Sequence, residues 1–521
     1  MNSELYSALN RSWKSTCKIL LGEELGELRD YEDWLAEYCP KPQISKSAIS
    51  GKEVYLASDY SKLANVISAD EISTSKPLSI NDIKDIDSLV RAVSEEWAYT
   101  GNRVLGNSKF VESSDLVMDS NYVANSLNVS ESTNVFYSSL IRLGSKNIFG
   151  SGWFGKTEFT IRFFGGFNCK RIFESHIIGD CSDLYFSNQC VNSSELMFCF
   201  FQRNQKHKIG NVQLSRDKYF DLKKKLLSEV IQSLKTNKKY PSLFELVNRS
   251  KSGKKPPISV PKKQESSDMK PIEKSFASTF KIILKKEPGS ITEYENWLAS
   301  EKMKMEPIQT MFGSTTYRPS HPDLYAISLF PKDLFVTLNE GLELGKIVMD
   351  QSALGSIDSI TSQLGQIAYF SVEILDGVNK NTIQSPLVYY TNNIYKGFDI
   401  VQSENLGVIS SAFSSKYIFG GYRNMNSEFC INCHNSLYLS RCLEVDTSTK
   451  CADALFCHNS EGLTDSMFCF NVKGKRHAIG NTSLPQADYS KIKESVLEQL
   501  SSEILQKKNC RFSIFTIGGM K

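Results

Sequence analysis

Five residues in the second half of the chain are spaced as zinc ligands often are. Cys430 and Cys433 are separated by two residues and precede His434, and Cys457 with His458 begins 24 residues after Cys433. Cysteine and histidine grouped in this way bind zinc tetrahedrally. The letters C-x-x-C-H also attach c-type haem, but that chemistry requires export. The pattern therefore allows a structural zinc site.

The same cysteines also suit a metal-free interior. Cys430 and Cys442 are twelve residues apart, as are Cys457 and Cys469, so a twelve-residue structural repeat would stack them as packed thiols. The chain has 13 cysteines and lacks a secretion signal at its start, which favours reduced thiols. We therefore expect no cofactor, with structural zinc as the alternative.

A second set of candidates comes from an internal alignment. Residues 145–211 align without a gap on residues 415–481, at a constant offset of 270, with 21 of 67 positions identical. The chain is therefore interpreted as a tandem duplication. Thr160, Phe163 and Phe164 stand in the first copy where the second has Cys430, Cys433 and His434. Any zinc site would accordingly belong to the second copy alone.

Residues kept in both copies serve either the common fold or a site that is present twice. The polar ones are Glu158 and Glu428, Arg171 and Arg441, Glu174 and Glu444, Asp183 and Asp453, and His207 and His477, with Glu195 matched by Asp465. Arg171 and Glu174 are three residues apart, so we expect them to pair across a turn. Each histidine is expected to hold, through its ring nitrogens, the turn before the helix that closes its half.

Carboxylates on one face of a parallel β-helix would suit polysaccharide cleavage, which needs a general acid and a base on either side of a glycosidic bond. Measured from the nearest aromatic residue, however, Glu158, Glu174, Asp183 and Glu195 take different positions, so we expect them not to share one column. A non-enzymatic role is therefore the leading hypothesis, and a carbohydrate-active enzyme is the first alternative.

Large apolar residues recur about every twelve positions within each copy. They are Phe136, Phe149, Phe159, Phe173, Phe186 and Phe198 in the first copy, and Leu406, Phe419, Phe429, Leu443, Phe456 and Phe468 in the second. Turn-forming Gly, Asn, Asp and Ser lie between them. The rhythm predicts a parallel β-solenoid with these side chains stacked along its interior and two such units in a coil of about 24 residues. An antiparallel β-sandwich is the structural rival.

The predicted fold is α+β, with the same order of parts in both halves. Leu5, Leu9 and Trp13 recur at helical spacing and predict a helical head. The first half, 1–249, is divided into a head over 1–45, a β-region over 50–211 and an amphipathic closing helix over 215–240. A flexible basic linker over 250–272 leads to the second half, 273–521. The second half is divided into a head over 273–305, a β-region over 310–481, a closing helix over 486–508 and a C-terminal strand over 510–517. We expect this strand to dock on the protein's own sheet.

The composition excludes several functional classes. Lys and Arg number 61 against 58 Asp and Glu, and the resulting net charge of +3 gives no general attraction for nucleic acid or an anionic membrane. The chain has no apolar run of about 18 residues, so we expect a cytoplasmic protein. It also lacks Walker, Rossmann, EF-hand and HExxH motifs.

Each copy contains the block M-F-C-F, then I-G-N, then a helix opened by Tyr219 or Tyr489. This arrangement resembles a set of uncharacterised microbial and large-virus proteins with short Cys- and aromatic-bearing repeats. The resemblance covers about 100 residues of each half and implies no known activity, cofactor or catalytic residue.

The duplication predicts a fused pseudo-dimer, since two similar halves can pack around an approximate two-fold axis within one chain. Long parallel surfaces suit extended contacts, so the leading hypothesis is a scaffold that binds a protein partner or a large assembly, a virus particle included. A zinc-stabilised, nucleic-acid-associated module is the second alternative, after the carbohydrate-active enzyme.

Overall fold

A computed structural model describes residues 1–73, 83, 85–250, 255–260, 268–299 and 304–520. It confirms the predicted α+β class: helices surround two long stacks of short strands that pair in parallel. The parallel pairing contradicts the antiparallel sandwich. We call the strands over 104–213 the first stack and those over 374–483 the second stack. Residues 43–101, the first insert, and 304–373, the second insert, each precede a stack.

The α-helices cover the outer faces of the stacks. In chain order they are α1 (Ser3–Leu21), α2 (Glu32–Ala36), α3 (Ile86–Glu96), α4 (Arg216–Asn237), α5 (Leu243–Arg249), α6 (Lys270–Leu284), α7 (Glu295–Leu298), α8 (Tyr325–Ser328), α9 (Leu338–Leu344), α10 (Ile357–Gln363) and α11 (Gln486–Lys507). Their ends follow capping rules: Asn2 accepts a hydrogen bond from the Leu5 N–H at the start of α1, and Gly22 is left-handed at its end.

The first stack contains a ten-stranded and a seven-stranded sheet, and the chain visits them alternately. The ten strands are Lys109–Glu112, Asn121–Ala124, Thr133–Phe136, Lys146–Phe149, Glu158–Ile161, Lys170–Phe173, Ser182–Tyr185, Ser194–Met197, Lys206–Ile209 and the antiparallel Val212–Gln213. The seven are Val104–Leu105, Asp115–Met118, Leu127–Ser130, Ser139–Arg142, Gly152–Gly155, Phe164–Phe167 and His176–Gly179.

The second stack is one twelve-stranded sheet with several longer strands. Its strands are Ile374–Asp376, Lys380–Ile383, Leu387–Tyr389, Asn392–Val401, Glu404–Phe413, Lys416–Met425, Glu428–Leu437, Ser440–Asp446, Ala452–His458, Thr464–Met467, Arg476–Ile479 and Thr482–Ser483. The inserts contain three two-stranded sheets, which are Gln43–Lys46 with Glu53–Leu56, Asn65–Ser68 with Ala98–Gly101, and Lys304–Gln309 with Thr315–Ser320.

Neighbouring strands in a stack are twelve residues apart in the chain. Ser182 pairs with Ser194 and Ser194 with Lys206. The expected coil of about 24 residues is therefore wrong, because a strand and its direct hydrogen-bonded neighbour are separated by only twelve. The twelve residues from a strand to its direct neighbour, called a coil below, therefore enclose a narrow interior.

The narrow coils reverse the predicted positions of the aromatic residues. Ile148 and the equivalent Val135 lie in the interior among Val, Ile, Leu and Cys side chains, whereas Phe149 faces outward and packs edge-on against Trp13 of α1 at 5.4 Å between ring centroids. The predicted anchors also lie in different columns. Phe159 lies in the same column as Arg171, twelve residues before it, whereas Phe186 stacks on Phe198 in another column. An interior of this size accepts aliphatic and thiol side chains, so most of the large rings lie outside.

Backbone geometry explains the short coil. Residues with positive φ recur at every third position, for example Asn125, Asn128, Glu131 and Asn134 with φ of 50°, 56°, 50° and 58°. A left-handed residue other than glycine costs about 1–2 kcal/mol. The stack compensates by hydrogen bonding, since the Glu131 N–H donates to the Met118 carbonyl of the preceding coil at 2.9 Å.

Serine side chains complete the turns. The Ser126 N–H donates to Ser114 Oγ at 3.1 Å, and the Ser138 N–H donates to Ser126 Oγ at the same distance. Each hydroxyl in turn donates to a carbonyl two residues before it, as Ser126 does to Ala124 at 2.8 Å. This column of hydroxyls satisfies the turn amides that the ladders leave unpaired.

Several predicted boundaries require correction. The predicted first β-region, 50–211, contains α3, and the second, 310–481, contains α8, α9 and α10. Residues 510–517 form no strand; Phe512, Ile514 and Phe515 are buried in an irregular segment followed by a short 3₁₀ helix. The predicted linker, 250–272, falls largely outside the described residues, and α6 already begins at Lys270. In the described part of the chain, no helix is both long and apolar enough to cross a membrane.

Candidate functional site

Four of the duplicated polar residues form a charged column on each stack. In the first stack, Arg171, Asp183, Glu195 and His207 succeed one another at twelve-residue steps, all with positive φ. Arg171 donates to both oxygens of Asp183, from Nε at 2.7 Å and Nη2 at 2.6 Å, and His207 Nε2 lies 2.5 Å from Glu195 Oε2. The prediction that Arg171 pairs with Glu174 is therefore wrong, because the narrow coil brings the residue twelve positions on into reach.

The second stack repeats the column with Arg441, Asp453, Asp465 and His477. Arg441 donates to both oxygens of Asp453 at 2.8 and 2.7 Å. Asp183 and Glu195, which stand three positions before Phe186 and Phe198, thus share a column, as do their counterparts, whereas the four carboxylates together do not. In these columns Asp183 and Asp453 are paired with arginines, Glu195 with the His207 ring and Asp465 with Lys493, so all four carboxylates have partners on the protein.

The closing helices cover the end of each column. Tyr219 of α4 lies 5.8 Å from the His207 ring, and Tyr489 of α11 lies 5.5 Å from the His477 ring. Both tyrosine hydroxyls are buried without a hydrogen-bond partner among the described residues. The turn before each helix is held by the histidine's main chain, since the Leu214 N–H donates to the His207 carbonyl at 3.0 Å.

The lysine above each column behaves differently in the two halves. Lys493 donates to Asp465 at 3.0 Å, whereas Lys223 lies over the Tyr185 ring, 4.3 Å from its centroid. Burial lowers the pKa of Lys223. Leu455 replaces Tyr185 in the second half, and Lys493, 5.7 Å from the centroid of the Tyr489 ring, reaches the carboxylate. A cleft of about 590 Å³ next to Asp465, His477 and α11 remains open.

The duplicated glutamates Glu174 and Glu444 are buried anchors. Glu174 Oε1 accepts from the Leu243 N–H at 2.9 Å, and Glu444 Oε2 accepts from the Ile514 N–H at 2.9 Å. Leu243 and Ile514 both lie in the segment that follows the closing helix. Each glutamate therefore ties that segment to its stack, a role that the two aligned residues share.

The surroundings of Glu174 are polar although they are buried. Its carboxylate accepts from Arg162 Nε at 2.7 Å and from the Tyr38 hydroxyl, and His176 Nε2 lies 3.4 Å from it. Although burial raises the pKa of the Glu174 carboxyl, Arg162 and His176 outweigh that effect and lower the pKa to about 2. The carboxylate consequently stays ionised and cannot serve as a general acid near neutral pH.

Arg162 also lines the widest cleft described, of about 970 Å³. Its Nη1 donates to Glu37 Oε2 at 2.7 Å, and its Nη2 has no hydrogen-bond partner among the described residues. Asp33, Lys41 and Tyr325 form part of the wall, so α2, the loop after it and α8 of the second insert meet here. The cleft exists beside the first stack, where Arg162 takes the place of Asn432.

The remaining duplicated carboxylates lie on the surface. Glu158 Oε2 is 3.6 Å from Lys170 Nζ, and Glu428 accepts weakly from the Ser440 hydroxyl at 3.5 Å. These are pairs on adjacent coils in another column, away from both clefts. Glu158 and Glu174 therefore do not come together with Asp183.

The five zinc candidates point into different parts of the protein. Cys430, Cys433 and Cys457 belong to the apolar interior of the second stack, whereas His434 packs on Phe515 outside it. His458 is also outside and contacts Asp446 through Nδ1 at 3.0 Å. Within the described ranges, no group of three or more His, Cys, Asp or Glu side chains is placed to hold a metal ion. Cα pairing of Cys430 with Cys442 instead forms the alternative thiol column.

The sequence does not predict the pairing of Asp446 with His458 or the roles of Arg162 and Tyr38, and it names His458 only as a zinc candidate. Asp446 replaces His176 and His458 replaces Asn188 at equivalent positions, so neither is among the residues shared by the two halves. Their partners, Tyr60 and Thr100, are more than 350 residues away in the chain. No local pattern connects groups so distant.

All thirteen cysteines are free and buried, as the composition suggested. Burial raises the pKa of most of the thiols, for example that of Cys181 and that of Cys451 to about 12, whereas the contact with Cys457 lowers the pKa of Cys469. The sulfurs with a raised pKa pack in the interior as protonated thiols. Comparison of the chain with protein-family models, with curated proteins and with solved structures gives no match in any of the three.

Proposed function

We propose that the protein is a non-enzymatic structural or interaction protein, a scaffold of two β-solenoid halves that arose by tandem duplication. The observation that carries this proposal is the use of the shared polar residues. Glu174 and Glu444 anchor main-chain segments, and Arg171 and Arg441 pair with carboxylates on the next coil. Side chains retained in both halves therefore maintain a framework.

The solenoid interpretation is supported by a regular step from Lys109 to Ile209 and from Lys380 to Ile479, which is twelve residues except for one step of thirteen, as from Thr133 to Lys146. Aliphatic and thiol side chains and the rings of Phe154 and Phe163 fill the interior. A stack of this kind offers a long, regular surface in which each coil contacts its neighbours only. Such a surface suits an extended protein partner or a large assembly.

Isolation from the native source tests the scaffold role. Chemical crosslinking followed by size-exclusion chromatography and mass spectrometry is expected to find the protein in a stable complex of defined stoichiometry, much larger than its own 58.7 kDa. The same complex should reassemble from purified components. A protein that remains monomeric in its source at every salt concentration tested would contradict the proposal.

The cleft at Arg162 favours one second candidate, a carbohydrate-binding or carbohydrate-active site. Asp33, Glu37 and Lys41 offer polar groups beside the half-exposed Tyr325 ring, a combination found in small-molecule pockets. Binding of an oligosaccharide that is lost in Glu37→Gln and retained in Glu428→Gln would support this alternative. Absence of binding and hydrolysis across a broad glycan panel would remove it.

A further inference from the structure

The first insert packs on the second stack, although the Ala57 N–H also donates to Asp115 Oδ2 of the first stack at 2.7 Å. The Tyr60 hydroxyl donates to Asp446 Oδ2 at 2.7 Å, and the Thr100 N–H donates to His458 Nε2 at 3.3 Å. Tyr60 is buried to 4% exposure in the same cluster as the second stack's outer face. This insert is therefore part of the core of the other half.

The second insert packs on the first stack in return. Gln189 Nε2 donates to the Ser371 carbonyl at 2.9 Å, and Asn211 Nδ2 donates to the Ile347 carbonyl at 3.0 Å. Phe370 is fully buried in the same cluster as the first stack's outer face, 6.0 Å from the Phe200 ring. Each half thus supplies an insert to the other.

The two sets of contacts are equivalent at the level of single bonds. The Ile86 N–H at the start of α3 donates to Gln499 of α11 at 3.1 Å, and the Ile357 N–H at the start of α10 donates to Glu229 of α4 at 2.9 Å. Ile86 and Ile357 differ by 271 positions and Glu229 and Gln499 by 270. The first bond joins the first half to the second, and the other joins the second to the first.

Aromatic contacts follow the same rule. Tyr60 stacks on Tyr99 at 4.1 Å and lies 5.8 Å from Phe515, while Phe330 lies 5.2 Å from Phe370 and 4.8 Å from Phe244. Tyr60 and Phe330 are 270 positions apart, and the other two pairs are 271 apart. If residue i of one unit contacts residue j of its partner, then j contacts i in an isologous interface.

We infer that the two halves form an isologous, segment-exchanged dimer within one chain, in which each insert is the docking element for the stack of the other half. The partner that this interface fits is another copy of the same kind of half. The inference rests on the proposed duplication and does not depend on the scaffold role. It implies that each stack depends for its stability on an insert from the other half.

Hydrogen exchange in the full-length protein tests this dependence. In Tyr60→Ala we expect amides near Asp446 and His458 to exchange at least about tenfold faster, because local opening becomes easier where the ring is lost. In Phe330→Ala the same acceleration is expected near His176 and Phe244. Leu63→Ala and Val378→Ala change exposed side chains of 74% and 66% exposure and serve as controls. Acceleration confined to the half that contains the substitution would overturn the inference.

Cleavage of the folded chain between its two halves provides a measurement that needs no destabilising substitution. A protease site inserted after Gln264 allows the halves to be separated covalently after folding. We expect the two fragments to coelute as a one-to-one pair and to separate only when they unfold. Elution as two independently folded fragments would also overturn the inference. A protein that passes both tests but has no large partner would refute the scaffold role alone.

Discussion

Arg162 and Glu174, twelve residues apart on adjacent coils, form an ion pair that is buried on both sides, with 2.7 Å between Nε and Oε2. In the second half the pair becomes Asn432 and Glu444, and the amide donates to the carboxylate at 3.0 Å. Both glutamates hold the segment after a closing helix. The same framework contact is therefore made once with a charged donor and once with a neutral one.

Substitution of the two glutamates should have unequal effects. Glu174→Gln leaves the Arg162 charge buried with less compensation, and we expect the free energy of unfolding to fall by about 3–5 kcal/mol. Glu444→Gln removes charge-assisted hydrogen bonds without stranding a cation, with an expected loss of about 1–3 kcal/mol. Urea unfolding of both variants and of the wild type measures the difference. Equal losses, or the reverse order, would show that the buried Arg162 charge does not make the first contact more sensitive than the second.

His458 makes the stability of the protein dependent on pH. Its Nε2 accepts from the Thr100 N–H at 3.3 Å, so the proton lies on Nδ1, which faces Asp446 at 3.0 Å. Burial lowers the pKa of His458, with Asp446 only partly opposing the effect, and burial likewise lowers the pKa of His176. In the unfolded chain both rings titrate at a pKa of about 6.5.

The expected result is a loss of stability as the solution is acidified. Above a pH of about 6.5 both states are unprotonated and stability is at its maximum; below it the unfolded state takes up protons before the folded state does. The free energy of unfolding then decreases by up to about 1.4 kcal/mol per pH unit for each histidine. Urea unfolding between about pH 7.5 and 5.5 measures this slope. His458→Gln should reduce it, and a wild type with unchanged stability over that range contradicts the prediction.

We expect the buried thiols to be unreactive in the folded protein. Cys430 and Cys433 lie in the interior of the second stack at 0% exposure, and burial raises the pKa of both. We expect no cysteine to react with a thiol reagent under native conditions and all 13 to react in denaturant.

Protein purified without chelators should contain no stoichiometric zinc, and EDTA should leave its Tm unchanged. Zinc near one equivalent together with a fall in Tm would restore the metal-site alternative.

Gly341 offers a test of the contact between the second insert and the first stack. A Cβ at this position would lie 2.0 Å from Cε1 of Phe201, so Gly341→Ala forces helix α9 away from the stack. We expect a decrease of about 1–3 kcal/mol in the free energy of unfolding, as for other overpacked cores. Gly355→Ala is the matched control, because its Cβ would have no neighbour within 4 Å. Thermal and urea unfolding of both variants measure the difference, and equal stability would contradict the packing.

Local sequence is a good guide to some elements. The helical spacing of Leu5, Leu9 and Trp13 corresponds to α1, and all three are fully buried. Periodicity and turn residues act over a few positions, so they can be recognised without knowledge of the partner. The predicted C-terminal strand is wrong because alternation of apolar residues also suits an irregular segment pressed onto a core.

The candidate site is less accessible to sequence reasoning. Arg171 and Asp183 are recognisable as shared residues, but the pairing between them depends on the length of the coil. Arg162 falls outside the shared set because Asn432 replaces it. A search for identical residues in the two halves finds those that both halves use in the framework. It misses residues that only one half contains.

By itself, the sequence determined the twelve-residue step, the ends of the major helices and the burial of the cysteines, because each follows from spacing or side-chain chemistry within a short stretch. The tertiary structure decided which side chains face the interior of a coil. Left-handed residues recur at every third position and change the direction of the side chains, so the alternation of apolar and polar residues along the sequence does not reveal it. It also decided the exchange of the inserts. Contacts such as Tyr60 with Asp446 join residues 386 positions apart, and only packing of the whole chain brings them together.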